Sequence, residues 1–123
     1  MNEFQKDYLL KRQDYGVLYP YVMEETVTDI HWNGRQLWID DLEKGRYMAP
    51  EVLSESFANR FSMLLSNLSN KAFNRDNPVM EVETEELRVC LVHPSVAYSG
   101  LSISLKETPA VRRLKKEDMT AVS

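Results

Sequence analysis

The sequence predicts an α+β domain with an antiparallel sheet, one long amphipathic helix and shorter flanking helices. Three observations lead to this prediction. Asn33-Gly34 separates two β-prone runs, which is the strongest short-range signal for a hairpin. Apolar residues at helical spacing follow Pro50, and further alternating runs follow Asn77-Pro78. Strands, a helix and then strands again are typical of an antiparallel sheet covered on one face.

The first part of the chain is less regular. Residues 1–13 are polar and mixed in charge, and we expect an N-terminal arm that is a short helix or a loose segment. Residues 15–23 are apolar but interrupted by Pro20, which limits the length of any helix there. We expect a short helix that caps the sheet.

The hairpin predicts which side chains reach the core. A two-residue turn at Asn33-Gly34 predicts three facing pairs, Trp32 with Arg35, Ile30 with Leu37, and Thr28 with Ile39. One face then carries Ile30, Trp32, Leu37 and Ile39, and the other carries Asp29, His31, Gln36 and Trp38. A third strand is expected around residues 46–48, after a turn at Lys44-Gly45.

The long helix is predicted from an apolar stripe. Pro50 suits a first helical position, where its missing N–H costs nothing. The stripe consists of Leu53, Phe57, Phe61, Leu64, Leu65 and Leu68. We interpret it as a surface that packs on the sheet rather than as a cofactor site, and expect the helix to end before Asn77-Pro78.

Three more strands are predicted at residues 79–82, 87–92 and 101–106. Alternation places Leu87, Val89 and Leu91 on one face, and Leu101, Ile103 and Leu105 on the corresponding face of the last strand. The outward positions are Arg88, Cys90, Ser102, Ser104 and Lys106.

Composition excludes several classes of protein. The chain has 123 residues, a net charge of −4 and 43% hydrophobic residues, which is enough apolar material for a core. One cysteine excludes an intramolecular disulfide framework. No run of about 18 apolar residues is present, and the charged N-terminus does not resemble a signal peptide. We therefore expect a cytoplasmic protein, with peripheral membrane contact left open and direct nucleic-acid binding not expected.

Catalytic and metal-binding motifs are not found in the sequence. His31, His93 and Cys90 lack zinc-type spacing, so no metal site is expected. Four glycines in the whole chain do not form a phosphate-binding loop. Adjacent carboxylates lie beside predicted turns, where solvated acidic residues are common. A small enzyme that uses His31 or Cys90 is the weakest alternative.

The remaining candidate site is cationic. Arg88 and Lys106 lie on the outward faces of two expected neighbouring strands, and Arg112 and Arg113 follow in a basic stretch. An ordinary solvated sheet face is the simpler interpretation from the residues alone. The alternative is anion recognition, in which rigid strands present cations to a phosphate that another domain holds.

An ordered series of motifs resembles a known domain. The series is Val27-Thr28-Asp29-Ile30-x-Trp32-Asn33-Gly34, Asn77-Pro78, Leu87-Arg88-Val89 and the run from Gly100 to Lys106. In this order it resembles the N-terminal domain of the type II/type IV secretion ATPases, the hexameric traffic ATPases of conjugation, secretion and tight-adherence pilus systems. The resemblance spans roughly residues 18–114, and residues 27–34 are its most specific part.

The resemblance implies a PAS-like N-terminal domain that a linker joins to a RecA-like motor domain, with ATP and Mg held between them. Arg88 matches an arginine that approaches the nucleotide phosphates. Lys106 stands where the family has a second arginine, and a lysine keeps the charge without the bidentate fork. Walker motifs are absent, so we expect no catalysis by this chain alone and ATP hydrolysis by the full-length protein.

The resemblance also implies boundaries and partners. We expect an arm at residues 1–13, the α+β domain at 14–110, and the start of a linker at 111–123 that contains the basic patch of Arg112 and Arg113. A homohexamer, secretion-channel components and the inner membrane are the expected contacts. The alternative is a free-standing PAS-like binding or dimerisation module in which Trp38 anchors the interface.

Overall fold

One antiparallel sheet organises the chain in a computed structural model that describes residues 10–83, 87–97 and 99–107. Before the sheet come helix α1 (Arg12–Tyr15), a 3-10 turn (Gly16–Leu18) and helix α2 (Tyr19–Met23). The other elements are β1 (Val27–Trp32), β2 (Leu37–Asp41), β3 (Gly45–Ala49), α3 (Glu55–Ser69), β4 (Val79–Glu83), β5 (Leu87–Val92) and β6 (Ser102–Glu107). Most of the expected arm and the whole expected linker, with Arg112 and Arg113, lie outside the described residues.

The order of the strands across the sheet is β3-β2-β1-β6-β5-β4, and every neighbouring pair is antiparallel. The α+β prediction is confirmed. Because β3 and β4 form opposite edges, the chain between them must cross the whole sheet. Five strand spacings amount to about 24 Å, and the 15 residues of α3 extend about 22 Å. One helix is therefore long enough to make the crossing and cover one face.

The core lies between that face and the helices. The expected alternation is confirmed, because all the predicted inward side chains of β1, β2 and β5 except Leu87 are buried, and Leu87 packs against the core from a partly exposed position. The core consists chiefly of Ile30, Trp32, Leu37, Ile39, Met80, Val89, Leu91, Ile103 and Leu105 from the sheet, Phe57, Phe61 and Leu65 from α3, and Leu18 from the 3-10 turn.

Helix α3 begins later than the sequence analysis predicts. The start at Pro50 is wrong, because the helix begins at Glu55 with Ser54 as its N-cap. The Ser54 hydroxyl accepts a hydrogen bond from the Phe57 N–H at 3.0 Å, which satisfies one of the free donors at the helix start. The helix ends at Ser69, and its C-cap residue Asn70 adopts the left-handed conformation common at helix ends. Among the described residues, no helix has both the length and the apolarity needed to cross a membrane.

The turn between β1 and β2 also differs from the prediction. Its two central residues are Gly34 and Arg35, because Asn33 N–H donates to the Gln36 carbonyl. The Asn33 side-chain oxygen accepts hydrogen bonds from the N–H groups of Arg35 and Gln36. Trp32 therefore pairs with residue 37 rather than with residue 35. A shift of two residues preserves the face of every side chain, which is why the predicted core residues are correct although the predicted register is wrong.

Gly34 lies against the loop between β5 and β6. Its φ is 96°, and a Cβ atom placed there would come within 2.6 Å of the Ser99 carbonyl oxygen. Gly45 has a similar φ of 76° but no atom within 4 Å of its Cβ position. Gly45 therefore provides a matched control for the cost of backbone conformation alone.

We expect Gly34→Ala to lower the free energy of unfolding by about 2–4 kcal/mol and Gly45→Ala by about 1 kcal/mol. Both alanines must adopt a positive φ, but only the one at position 34 meets another backbone segment. Urea unfolding followed by circular dichroism measures the difference. Equal losses for the two variants would contradict the close contact between the turn and the loop.

Asp41 holds the turn between β2 and β3. It is 6% exposed, and its carboxylate accepts hydrogen bonds from the N–H groups of Glu43 and Lys44 and from the Thr26 hydroxyl. Burial alone would raise the pKa of Asp41, but the hydrogen bonds from Lys44, Glu43 and Thr26, together with the Lys44 charge, lower it below 3.8.

We expect Asp41→Asn to lower the free energy of unfolding at neutral pH by about 1–3 kcal/mol. Because the folded-state pKa is depressed, the stabilisation is full above the unfolded-state pKa and disappears as pH falls through the folded-state value. Urea unfolding should therefore show the two proteins converging as pH falls below the unfolded-state pKa of about 4. Asp76→Asn, at an exposed position, is the control, and a difference independent of pH would contradict a role for the charge.

Candidate functional site

The face of the sheet opposite α3, called here the outer face, carries a row of charged side chains. Each strand contributes one residue, and the pairing of the strands places them side by side. In sheet order from β3 to β4, this charged row consists of Arg46, Asp40, Asp29, Lys106, Arg88 and Glu83. Two carboxylates are therefore neighbours, and so are two cations.

Each cation of the charged row contacts a carboxylate of the same row. The distances are 3.6 Å from Arg46 Nε to Asp40 Oδ1, 3.7 Å from Lys106 Nζ to Asp29 Oδ2, and 3.2 Å from Arg88 Nε to Glu83 Oε1. The Arg88 and Lys106 side chains are 45% and 54% exposed. Such surface pairs contribute about 0–1 kcal/mol each, so an incoming anion can displace the carboxylates at small cost.

Arg88 and Lys106 lie directly opposite each other on β5 and β6. The prediction that they occupy outward faces of neighbouring strands is confirmed. Like charges in facing positions repel, and here Glu83 and Asp29 on the flanking strands offset that repulsion. An anion that approaches this part of the outer face meets both cations together. Contact with a nucleotide phosphate stays a prediction.

The carboxylate partners of these cations are not among the residues predicted from the sequence. Asp29 reaches Lys106 because β6 pairs with β1, which lies far away in the chain. Glu83 precedes Arg88 by five residues, and the hairpin of β4 and β5 sets them opposite each other. The short separation of β4 and β5 in the sequence indicates a hairpin, from which the pair of Glu83 and Arg88 could be predicted. The pair of Asp29 and Lys106 depends on the order of strands in the sheet.

A second row on the outer face is mostly uncharged. This central row consists of Met48, Trp38, His31, Ser104, Cys90 and Glu81. His31 Nδ1 and Ser104 Oγ share a hydrogen bond at 2.7 Å. The Arg46 guanidinium lies 5.7 Å from the centre of the Trp38 ring, within the range of a cation–π contact.

Trp38 is half-buried in this arrangement rather than fully exposed. The interface hypothesis for Trp38 assumes an exposed aromatic on a polar strand face. The Arg46 guanidinium lies over its ring. A role for Trp38 in partner binding stays a prediction.

The central row does not form a cysteine–histidine catalytic pair. Burial lowers the pKa of His31, and the Arg46 charge lowers it further. Burial also raises the pKa of the Cys90 thiol, with a smaller contribution from Glu81, so the thiol stays protonated at neutral pH. Cys90 and His31 lie on β5 and β1, two strand spacings or about 9.5 Å apart. Among the described residues, no cluster of three His, Cys, Asp or Glu side chains could hold a metal ion.

Comparison with known proteins gives a match to the fold but none to the sequence. No protein family model matches the sequence, and no curated protein matches it significantly. Among solved structures, the VirB11 ATPase from the Brucella suis type IV secretion system, crystallised in complex with sulphate, matches with a TM-score of 0.66 and 13% sequence identity. The fold is similar to part of VirB11. The match covers 78% of this chain and 31% of the VirB11 chain, and at this identity it establishes the fold alone.

The environment of His31 can be measured directly. We expect an NMR titration to give His31 a pKa below 6.5, because burial and the Arg46 charge both disfavour the imidazolium. Arg46→Gln should raise that pKa by removing the charge, whereas Arg35→Gln, in the exposed turn, should leave it unchanged. A His31 pKa at or above 6.5 in the wild-type protein would contradict the arrangement of the central row.

Proposed function

We propose that this chain is the N-terminal, non-catalytic domain of a hexameric ATPase that powers type II/type IV secretion, conjugative transfer or pilus assembly. The observation that carries the proposal is the similarity of fold to VirB11 over 78% of the chain. The ordered motif series from Val27 to Lys106 supports it independently, because it concerns residue identities rather than backbone shape.

In this proposal, Arg88 and Lys106 contact the phosphates of ATP, which a following RecA-like domain holds with Mg. The two cations are adjacent, project from paired strands, and are about half exposed. Phosphate oxygens can replace the carboxylates of Glu83 and Asp29 and form charge-assisted hydrogen bonds. Arg88 can contact two oxygens through its planar fork, whereas Lys106 acts as a single point charge.

The proposed setting is cytoplasmic, at the inner face of the membrane and in contact with components of a secretion channel. A net charge of −4 is compatible with this setting and disfavours direct binding to nucleic acid. The isolated chain is expected to bind ATP weakly, because two cations form only a small part of a nucleotide pocket.

Two measurements test the proposal. The gene should continue beyond Ser123 into a RecA-like domain with a phosphate-binding P-loop, and a stop codon at that point would contradict the assignment. In the protein that carries both domains, we expect Arg88→Ala to lower the ATPase kcat about tenfold or more, because a cation is lost beside the phosphates.

The control variant for Arg88→Ala is Arg75→Ala, which removes an exposed arginine from the loop before β4. It should leave kcat unchanged. Thermal unfolding of the isolated domain should show that Arg88→Ala costs less than about 1 kcal/mol, because its ion pair is exposed. A variant that does not fold would make Arg88 structural, and an unchanged kcat would remove it from the nucleotide site.

A further inference from the structure

The two edges of the sheet expose complementary backbone groups. Within the described residues, β4 pairs only with β5. His93 N–H donates to the Pro78 carbonyl, so residues 78 and 93 form a hydrogen-bonded pair at the start of this ladder. The alternation of an antiparallel ladder then directs the backbone groups of Glu81 and Glu83 toward the open edge. The Lys71 ammonium donates to the Glu81 carbonyl, which is consistent with that direction.

The same alternation applies to β3, which pairs only with β2 among the described residues. The hydrogen bond between Asn33 N–H and the Gln36 carbonyl makes residues 33 and 36 a hydrogen-bonded pair at the end of the β1–β2 ladder, and the alternation of pairs follows from there. It directs the backbone groups of Tyr47 toward β2 and those of Arg46 and Met48 toward the open edge. The β3 edge therefore offers two successive outward-facing residues, Arg46 and Met48, and the β4 edge offers three, Val79, Glu81 and Glu83.

The charges of the two edges are opposite. The β4 edge carries Glu81 and Glu83, and the β3 edge carries Arg46 with Lys44 just before it. Because all six strands alternate in direction, β3 runs antiparallel to β4. A second copy can therefore place its β3 beside β4 as a further antiparallel strand, with its outer face on the same side.

We propose that the sheet extends between copies of this chain, with β4 of one copy paired to β3 of the next. The register that continues the charged row from one copy to the next places Glu83 opposite Arg46 and Glu81 opposite Met48. The outward backbone groups then meet as hydrogen-bonded pairs. On the core face, Val82 lies opposite Tyr47, an aromatic and β-branched pair of the kind that stabilises sheets.

The charge pattern selects a second copy with this orientation. The charged row ends in a cation at β3 and a carboxylate at β4, so the junction joins opposite charges. Met48 and Val79 are 53% and 56% exposed on the two edge strands, and the contact would cover apolar surface. The two contact surfaces differ, so the association is heterologous and builds a ring or an open chain rather than a closed dimer.

Lys71 limits this association. Its ammonium occupies the Glu81 carbonyl and places a positive charge beside the acidic edge. Charged side chains, lysine above all, are a common means of protecting sheet edges from pairing. Lys71 must move aside before β3 of another copy can bind, so its removal should strengthen the association.

Sedimentation velocity over a range of protein concentrations tests the proposal. Lys71→Ala should associate about tenfold more tightly than wild type. In the Lys71→Ala background, Arg46→Glu and Glu83→Arg should each weaken association about tenfold, since each places like charges at the junction. An equal mixture of these two variants should restore it, because every junction between unlike copies again joins opposite charges.

Two further variants separate this contact from other modes. Met48→Pro removes an outward N–H but no hydrogen bond to β2, so it should abolish association while circular dichroism stays unchanged. Arg60→Glu reverses an exposed charge on helix α3, outside both edge strands, and should have no effect. If Met48→Pro fails to fold, the association measured for the mixture of Arg46→Glu and Glu83→Arg decides whether the proposal stands.

The outcomes that overturn the proposal are specific. One is a monomer at millimolar concentration for both wild type and Lys71→Ala. Another is a mixture of Arg46→Glu and Glu83→Arg that associates no better than either variant alone. Association that depends on Met48 and Arg46 but not on Glu83 would indicate pairing of two β3 strands, and would equally overturn it.

Discussion

The crossing of α3 from one edge of the sheet to the other is the constraint on which the rest of the structure depends. Because β3 and β4 are the two edges, the segment between them must lie across a face, and 15 helical residues nearly match the width of the sheet. The apolar side chains of the strands therefore face α3. The alternation of the strands directs every second side chain to the outer face, where the charged row forms.

The sequence predicts which face of the sheet a side chain occupies better than it predicts where a turn or a helix begins. The hairpin register was wrong because the Asn33 side chain binds the N–H groups of the turn, which moves the turn by one residue. The predicted core residues are nevertheless correct, because the resulting shift of two residues in the strand pairing leaves each side chain on the same face. The predicted start of α3 was wrong because the Ser54 side chain caps the helix, whereas Pro50 is merely compatible with a first helical position.

The candidate site was predictable only in part, and strand order explains why. Arg88 and Lys106 lie on consecutive strands, and consecutive strands are usually neighbours in a sheet, so their proximity could be predicted. The contact of Lys106 with Asp29 and the bond of His31 with Ser104 both require β6 to lie beside β1. Strand order is a property of the whole fold, and local periodicity contains no information about it.

Cys90 gives the outer face a natural reporter. It is the single cysteine of the chain, it lies in the central row beside Ser104, and its half-buried thiol has a raised pKa. A thiol reagent therefore modifies one known position, at a rate that burial already slows. Any domain or molecule that covers the outer face near Arg88 would slow that rate further. The kinetics of alkylation thus report occupancy of this surface without an engineered label.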